Sequence, residues 1–469
     1  SSSSSSKQLS KAMAPGCYSL SSSPVFFLVV LLLVGVAAQV PPSKTFTVVN
    51  QGEFGRYIVE YDASYRVIDT PGDVLFNFPF QMCFYNTTPG AFVLALRMGS
   101  HRTESLMRWV WEANRGHPVG ENATLSFGRD GNLALKEADG RLVWHTNTAN
   151  KGVTGLSLLP TGNLVLHDNK GNSVWQSFDH PTDTLLVGQS LRTKLVSRAS
   201  PSHGSDGPYS LVLEPAGGLN MYIKNAGGSL LKYGGWGGLG PANSVTFDSS
   251  PETDEAKAYD LLLVYRPINT TSAGTTTPSP AGRRLLQVRA VGGVYANGSQ
   301  FVNLARPKYN STYSFLRLDV DGNLLTFTYN TEVTYDAWEQ TFAFFGDLVR
   351  ECGLPSKCGA FGVCRSGMCV GCPSPRGLLG WSESCAPPKL APCKKSVNYY
   401  KVDRVEHFNS PYDKGEGPME VEACRSKCTA DCNCAGFFYR HESSKCLRVP
   451  TLRTLIQVDN TSHYAFIKF

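Results

Sequence analysis

The densest concentration of reactive side chains lies between Cys352 and Cys446, which holds twelve of the 14 cysteines. They fall into two groups: Cys352, Cys358, Cys364, Cys369, Cys372 and Cys385, then Cys393, Cys424, Cys428, Cys432, Cys434 and Cys446. Cys369-Val-Gly-Cys372 has the spacing of a zinc-binding thiolate pair. The first group, however, occupies a short Gly- and Pro-rich segment too small for an apolar core, where disulfides are the expected staples. Cys83 stands alone and suits either a buried thiol or an intermolecular bridge; burial is the expectation, because free cysteine is among the most buried residue types. Gly235-Trp-Gly-Gly-Leu-Gly240 matches a dinucleotide fingerprint in form, but no βαβ pattern surrounds it, so a glycine-rich β turn is expected. Asp179-His180-Pro181-Thr182-Asp183 could do acid–base work, yet neither a Gly-x-Ser-x-Gly elbow nor a His-Glu-x-x-His helix accompanies it. A turn is the simpler reading. No enzyme, metal or cofactor is expected.

The elements that position these residues are set by a repeat. Shifting the chain by 31 residues places Leu125, Ser126, Gly131, Asn132, Leu133, Leu135, Gly140, Val143 and Trp144 on Leu156, Ser157, Gly162, Asn163, Leu164, Leu166, Gly171, Val174 and Trp175. Apolar residues alternate within each unit, which predicts half-buried strands. Asp130-Gly131, Asp139-Gly140, Thr161-Gly162 and Lys170-Gly171 supply the hairpin turns. One such sheet cannot bury its apolar face alone, so a third copy must stack on the pair. It lies upstream, where Phe92, Leu94 and Leu96 precede Val110-Trp111-Glu112-Ala113-Asn114. The prediction is a closed all-β prism with Trp111, Trp144 and Trp175 as inward core residues rather than sugar-stacking ones.

Residues 1–12 read as a non-native Ser-rich leader with Met13 as the natural start, and Val25–Val36 followed by Ala37-Ala38 has the layout of a signal peptide cleaved after Ala38. The apolar run is shorter than the roughly 20 residues of a spanning helix, so a secreted, extracellular chain with no membrane span is expected. Sequons begin at Asn86, Asn122, Asn269, Asn297, Asn310 and Asn460, each a candidate surface glycosylation site. The net charge of +6 is scattered over 469 residues, which argues against a nucleic-acid surface and leaves weak attraction to acidic cell-wall polymers. After Leu191, SRASPSHGSDGP reads as a linker ending at Tyr209. Strand patterns then resume, and Asp321-Gly322-Asn323-Leu324 repeats the signature of the first unit. Thr270 to Gly282 reads as an exposed Thr/Ser/Pro-rich loop. Met419–Cys428 (MEVEACRSKC) has a helical pattern that puts Cys424 and Cys428 on one face.

With these repeats the chain resembles the plant bulb-type lectins. Its Trp175–Leu191 segment, WQSFDHPTDTLLVGQSL, resembles the end of such domains in S-domain proteins. Together with the flanking sequence it is most similar to the secreted epidermis-specific glycoproteins that carry bulb-lectin and PAN modules without a kinase. The resemblance implies a mainly all-β chain of tandem β-prism II domains, at 39–192 and, in degenerate form, 205–347. An EGF-like cysteine-rich module at 350–390 and an α+β PAN/apple domain at 391–469 would follow. It implies the pairs Cys424–Cys446 and Cys428–Cys434, with Cys393–Cys432 remaining. Mannose-binding relatives use Gln-x-Asp-x-Asn-x-Val-x-Tyr along one strand, where alternate amides and carboxylates meet sugar hydroxyls. Here the rows are Gly128, Asp130, Asn132, Ala134, Lys136; then Leu159, Thr161, Asn163, Val165, His167; then Asp319, Asp321, Asn323, Leu325, Phe327. Asp130, Asn132, Asn163, Asp321 and Asn323 are the candidate carbohydrate ligands, Asp130 and Asn132 first among them. Hairpin-turn chemistry, which favours the same residues, is the weightier reading, and the lost Gln and Tyr argue against tight mannose binding. Two functions follow as expectations: a non-catalytic glycan binder of the apoplast or cell wall whose partners are glycans or glycoproteins, or an extracellular scaffold that docks proteins through the PAN domain.

Overall fold

The computed structural model describes residues 39–99, 106–237, 239–251, 258–267, 299–348, 350–389 and 397–469. The expected leader, the 270–282 loop, Cys393, Asn269 and Asn297 lie outside them. The fold is mainly β, with one α-helix, α1 (Val421–Ala430), among the described residues.

The repeat builds three sheets. Phe46–Val49, Thr124–Phe127, Leu133–Lys136 and Leu142–His145 form one; Gly155–Leu158, Leu164–His167 and Ser173–Gln176 form the next. The third takes Ser64–Val67, Phe80–Thr88, Ala91–Met98 and Arg108–Glu112. In each sheet a tryptophan stands opposite a leucine of the central strand: Leu135 faces Trp144, Leu166 faces Trp175 and Leu96 faces Trp111. Alternation then sends Leu94, Leu96, Leu125, Leu135, Leu156 and Leu166 into one shared core. The turns need glycine where predicted. Gly131 has φ +78° and Gly162 φ +82°, and a Cβ would lie 2.6 Å from Val153 Cβ or 2.7 Å from Phe80.

Three further sheets follow, and the chain enters them earlier than expected. Thr184–Leu186, Ser190–Leu191 and Lys194–Ser200 each pair with a different sheet of this second set, through Ser314–Leu318, Ala242–Pro251 and His203–Leu213 respectively. The end of the expected first domain at 192 therefore already belongs to the second unit. The expected linker SRASPSHGSDGP is a hairpin formed by Lys194–Ser200 and His203–Leu213. The two units share a wall. Every residue of Ser314–Leu318 is buried, with Phe315 in the first core and Leu316 in the second. Between these cores Glu60 binds Arg108 at 2.6 Å and Arg317 at 2.8 Å.

The C-terminal third departs from two separate modules. One five-stranded sheet runs Gly377–Leu379, Met368–Ser374, Phe361–Arg365, Arg453–Gln457, Val405–His407, so the expected 350–390 and 391–469 segments share it through a parallel pair. A four-stranded sheet of Tyr399–Asp403, His463–Lys468, Gly436–Arg440 and Lys445–Val449 lies beside it and packs on α1. Cysteine chemistry is oxidative rather than metal-binding: Cys352–Cys364, Cys358–Cys369 and Cys372–Cys385 are bridged. Cys424–Cys446 and Cys428–Cys434 pair as the resemblance implies. Cys432 is disulfide-bonded as well. Cys83 is free and wholly buried.

Candidate functional site

The three candidate rows are occupied by the fold itself. Asn163 is 7% exposed; its Nδ2 donates to Gln176 Oε1 at 2.9 Å, while its Oδ1 accepts from Phe178 N–H at 3.2 Å and Ser177 Oγ at 3.3 Å. Asn132 repeats the arrangement, its Oδ1 accepting from Thr148 N–H at 3.1 Å and Thr146 Oγ1 at 3.2 Å. Asn323 closes the same clamp in the second unit, accepting from Phe345 N–H at 3.1 Å and donating to Phe345 O at 3.2 Å. Each asparagine therefore pins the segment that follows the last strand of its sheet. Asp130 and Asp321 are exposed, and each uses Oδ1 to accept the N–H two residues on, at 3.1 and 2.7 Å, as an Asx turn does. Row three is closed further along, where Arg108 lies 4.2 Å over the Phe327 ring. The structure thus brings none of the rows together as a free set of sugar-facing donors and acceptors.

What it does bring together is the tryptophans. Trp111, Trp144 and Trp175 meet near the axis of the first three sheets with ring centroids 6.0, 6.2 and 5.9 Å apart and interplanar angles of 72°, 67° and 74°. This near-threefold, edge-to-face cluster follows from one tryptophan per repeat at one register position. Trp111 is buried, but Trp144 and Trp175 are half-buried, which corrects the expectation that all three are core. Their open faces floor a cleft of about 760 Å3, within the usual size range of ligand sites.

Its walls come from both units. His180 stacks on Trp175 at 5.3 Å and 16°, and its carbonyl accepts the Trp111 indole N–H at 2.9 Å. His145 and Asn147 are exposed members of its rim, as are Lys194 and Asp206 of the hairpin. Glu112 lies at the base, held by Arg198 and by the Tyr85 hydroxyl, which donates to it. Burial, reinforced by the Glu112 charge, holds the Tyr85 phenol well above its ordinary pKa and keeps it a donor. The lining thus couples aromatic faces to acceptors and donors of both signs, with no nucleophile–base pair among the lining residues. The rim was not foreseeable from the repeat, because Asp206 sits in the stretch whose composition reads as a linker and Lys194 lies just before it, beyond the last repeat.

Expected glycosylation sites divide. Asn122, Asn310 and Asn460 are exposed. Asn86 is a correction: it is 7% exposed, inside Phe80–Thr88 and paired with Ser64, so its amide is not presented.

The family model for D-mannose binding lectin matches residues 108–205, the span that holds the tryptophans and Lys194. EP1-like glycoprotein 2 of Arabidopsis thaliana is 54% identical over 448 residues, covering 92% of this chain and 96% of its own. The chain belongs to the EP1-like glycoprotein family. The epidermis-specific secreted glycoprotein EP1 of Daucus carota is 47% identical over 391 residues, 77% of this chain and 92% of its own. The match to a G-type lectin S-receptor-like serine/threonine-protein kinase of Arabidopsis thaliana is weaker, 26% over 73% of this chain and 38% of the kinase. This EP1-like chain therefore carries a bulb-lectin domain and is a lectin-like glycoprotein by family. No helix among the described residues is long and apolar enough to cross a membrane.

Proposed function

We propose that this EP1-like protein is a secreted, non-catalytic glycan binder of the plant apoplast, and that the tryptophan cleft is where it holds its ligand. The observation that carries the reading is the pair of half-buried indoles, Trp144 and Trp175, flooring a cleft rimmed by His145, Asn147 and Lys194. The apolar C–H face of a pyranose stacks on such rings while its hydroxyls meet the rim. Secretion is supported by the signal-peptide pattern at 13–38, the paired cysteines and the word "secreted" in the carrot relative's name. Each set of three sheets is read as a bulb-lectin prism. The cysteine-rich segment is read as EGF-like, and α1 with its sheet as a PAN/apple unit. A mannose-type neutral glycan bound weakly is the baseline expectation, because the Asp-x-Asn rows are consumed by the fold.

The second reading is a scaffold that docks proteins through its C-terminal unit. It is favoured by the exposed Met368, Val370, Leu378 and Leu379 on the edge of the five-stranded sheet. A glycan array of the disulfide-intact protein separates the two. Glycan binding that is lost in Trp175→Ala and weakened in Asn147→Gly, which keeps the φ of +56° accessible, supports the cleft. Absence of binding to any glycan supports the scaffold.

A further inference from the structure

We propose that the cleft selects an acidic sugar, a hexuronate-bearing glycan whose carboxylate is taken by Arg115 between Lys151 and Lys194; this rests on the reading of the cleft as a glycan site. Arg115 lines the cleft with a side chain only 8% exposed, and its Nε, Nη1 and Nη2 are all buried without a hydrogen-bond partner. The carboxylates around it stand off: Glu112 at 3.7 Å, Asp183 at 3.5 Å and Asp206 at 3.7 Å. A desolvated guanidinium with no hydrogen bond is costly, and a planar carboxylate is the group whose two oxygens match its fork.

The neighbours show which of these carboxylates can yield. Glu112 is held by Arg198 and Tyr85. Asp183 accepts the Thr184 hydroxyl at 2.8 Å. Asp206, on the hairpin strand His203–Leu213, is 71% exposed and makes no closer contact to Arg115 than 3.7 Å. It covers the guanidinium as a weakly held stand-in, and a ligand carboxylate arriving over Trp175 would displace it into solvent. Lys151 and Lys194 both line the cleft, both exposed and neither paired with a carboxylate among the described residues. The lining carries three cations, Arg115, Lys151 and Lys194, against two carboxylates, Glu112 and Asp206. With Glu112 matched by Arg198 and Asp183, 3.5 Å away, set against Arg115, the two lysines outweigh Asp206 and the field at the mouth is positive, as an anionic sugar requires.

The test is calorimetric titration of the full-length, disulfide-intact protein with three probes: a trigalacturonate, its methyl ester and a neutral mannotriose. At low ionic strength the free acid should bind at least about five-fold tighter than the ester, and added salt should shrink that advantage. Lys151→Ala/Lys194→Ala should weaken the acid by about five- to twenty-fold and mannotriose, which loses only a rim hydrogen bond, by about two-fold at most. Asp206→Asn should strengthen the acid a few-fold, an outcome that a merely structural Asp206 would not give. Equal affinity for acid and ester, or an acid affinity indifferent to the lysine pair, overturns the proposal. If mannotriose binds through Trp175 and the acid does not, this proposal falls and the glycan-binding function stands. If no probe binds, both fall.

Discussion

Replacing Asn163 with alanine separates a structural asparagine from a sugar ligand, because the two roles predict opposite outcomes. The side chain makes three hydrogen bonds, to Gln176, Phe178 and Ser177, at 2.9, 3.2 and 3.3 Å. Ser177 Oγ in turn accepts the Leu164 N–H at 3.0 Å, so the clamp ties the strand Leu164–His167 to the segment after Trp175. At roughly 0.5–1.5 kcal/mol per bond, with the Phe178 N–H left unpaired, the loss should be about 2–4 kcal/mol. For a unit of roughly 150 residues that corresponds to a Tm lowered by about 5–12 °C. Asp130→Ala, which removes only an exposed Asx turn, should cost under about 1 kcal/mol. Thermal unfolding followed by circular dichroism reads the first quantity, and glycan affinity per folded molecule reads the second. Unchanged stability together with abolished glycan binding in Asn163→Ala would refute the clamp and restore the row as a sugar site.

His407 is wholly buried, with Nε2 3.0 Å from Thr451 O and Nδ1 accepting the Asn409 N–H at 3.2 Å; burial pushes its pKa down to about 3. Its folded pKa lies below the unfolded value of about 6.5, so the unfolded chain binds the extra proton. Stability should therefore be complete above about pH 6.5 and fall by a few kcal/mol as pH drops toward 3, and urea melts of wild type and His407→Gln should show a shallower slope in the variant. Cys83 is buried, with a thiol pushed up to about 12 by that burial, so native protein should resist iodoacetamide, alkylate only when unfolded, and run as a monomer on a non-reducing gel. Peptide mapping of protein expressed through the plant secretory path should find glycans at Asn122, Asn310 and Asn460 and none at Asn86; occupancy at Asn86 would contradict its placement in the sheet.

The first unit was legible because its signals are local. Period-two leucines, Asp-Gly turns and one tryptophan per repeat specify strand, turn and axis within each unit. The hairpin of Lys194–Ser200 and His203–Leu213 was not, because its buried positions include Ser197 and Arg198, and the Arg198 guanidinium, beyond one bond to Ser200 O of its own hairpin, is satisfied by Glu112 and Tyr85 from the other unit. Polar composition there reflects a long-range partner rather than solvent. The sheet shared by Phe361–Arg365 and Arg453–Gln457 was hidden for the same reason, since parallel pairing leaves no turn signature between its strands. The asparagine rows misled because a hairpin clamp and a sugar row call for the same residue types at the same spacing. Conversely, the repeat named the tryptophans but not their open faces, which depend on how closely the second unit approaches.

The most direct measurement is a crystal structure of the protein grown with the tightest-binding glycan from the array. A pyranose ring should be stacked over Trp144 or Trp175 with its polar groups toward Arg115 and Lys194. A sugar seated instead along Asp130–Lys136, with the tryptophan cleft empty, would contradict it.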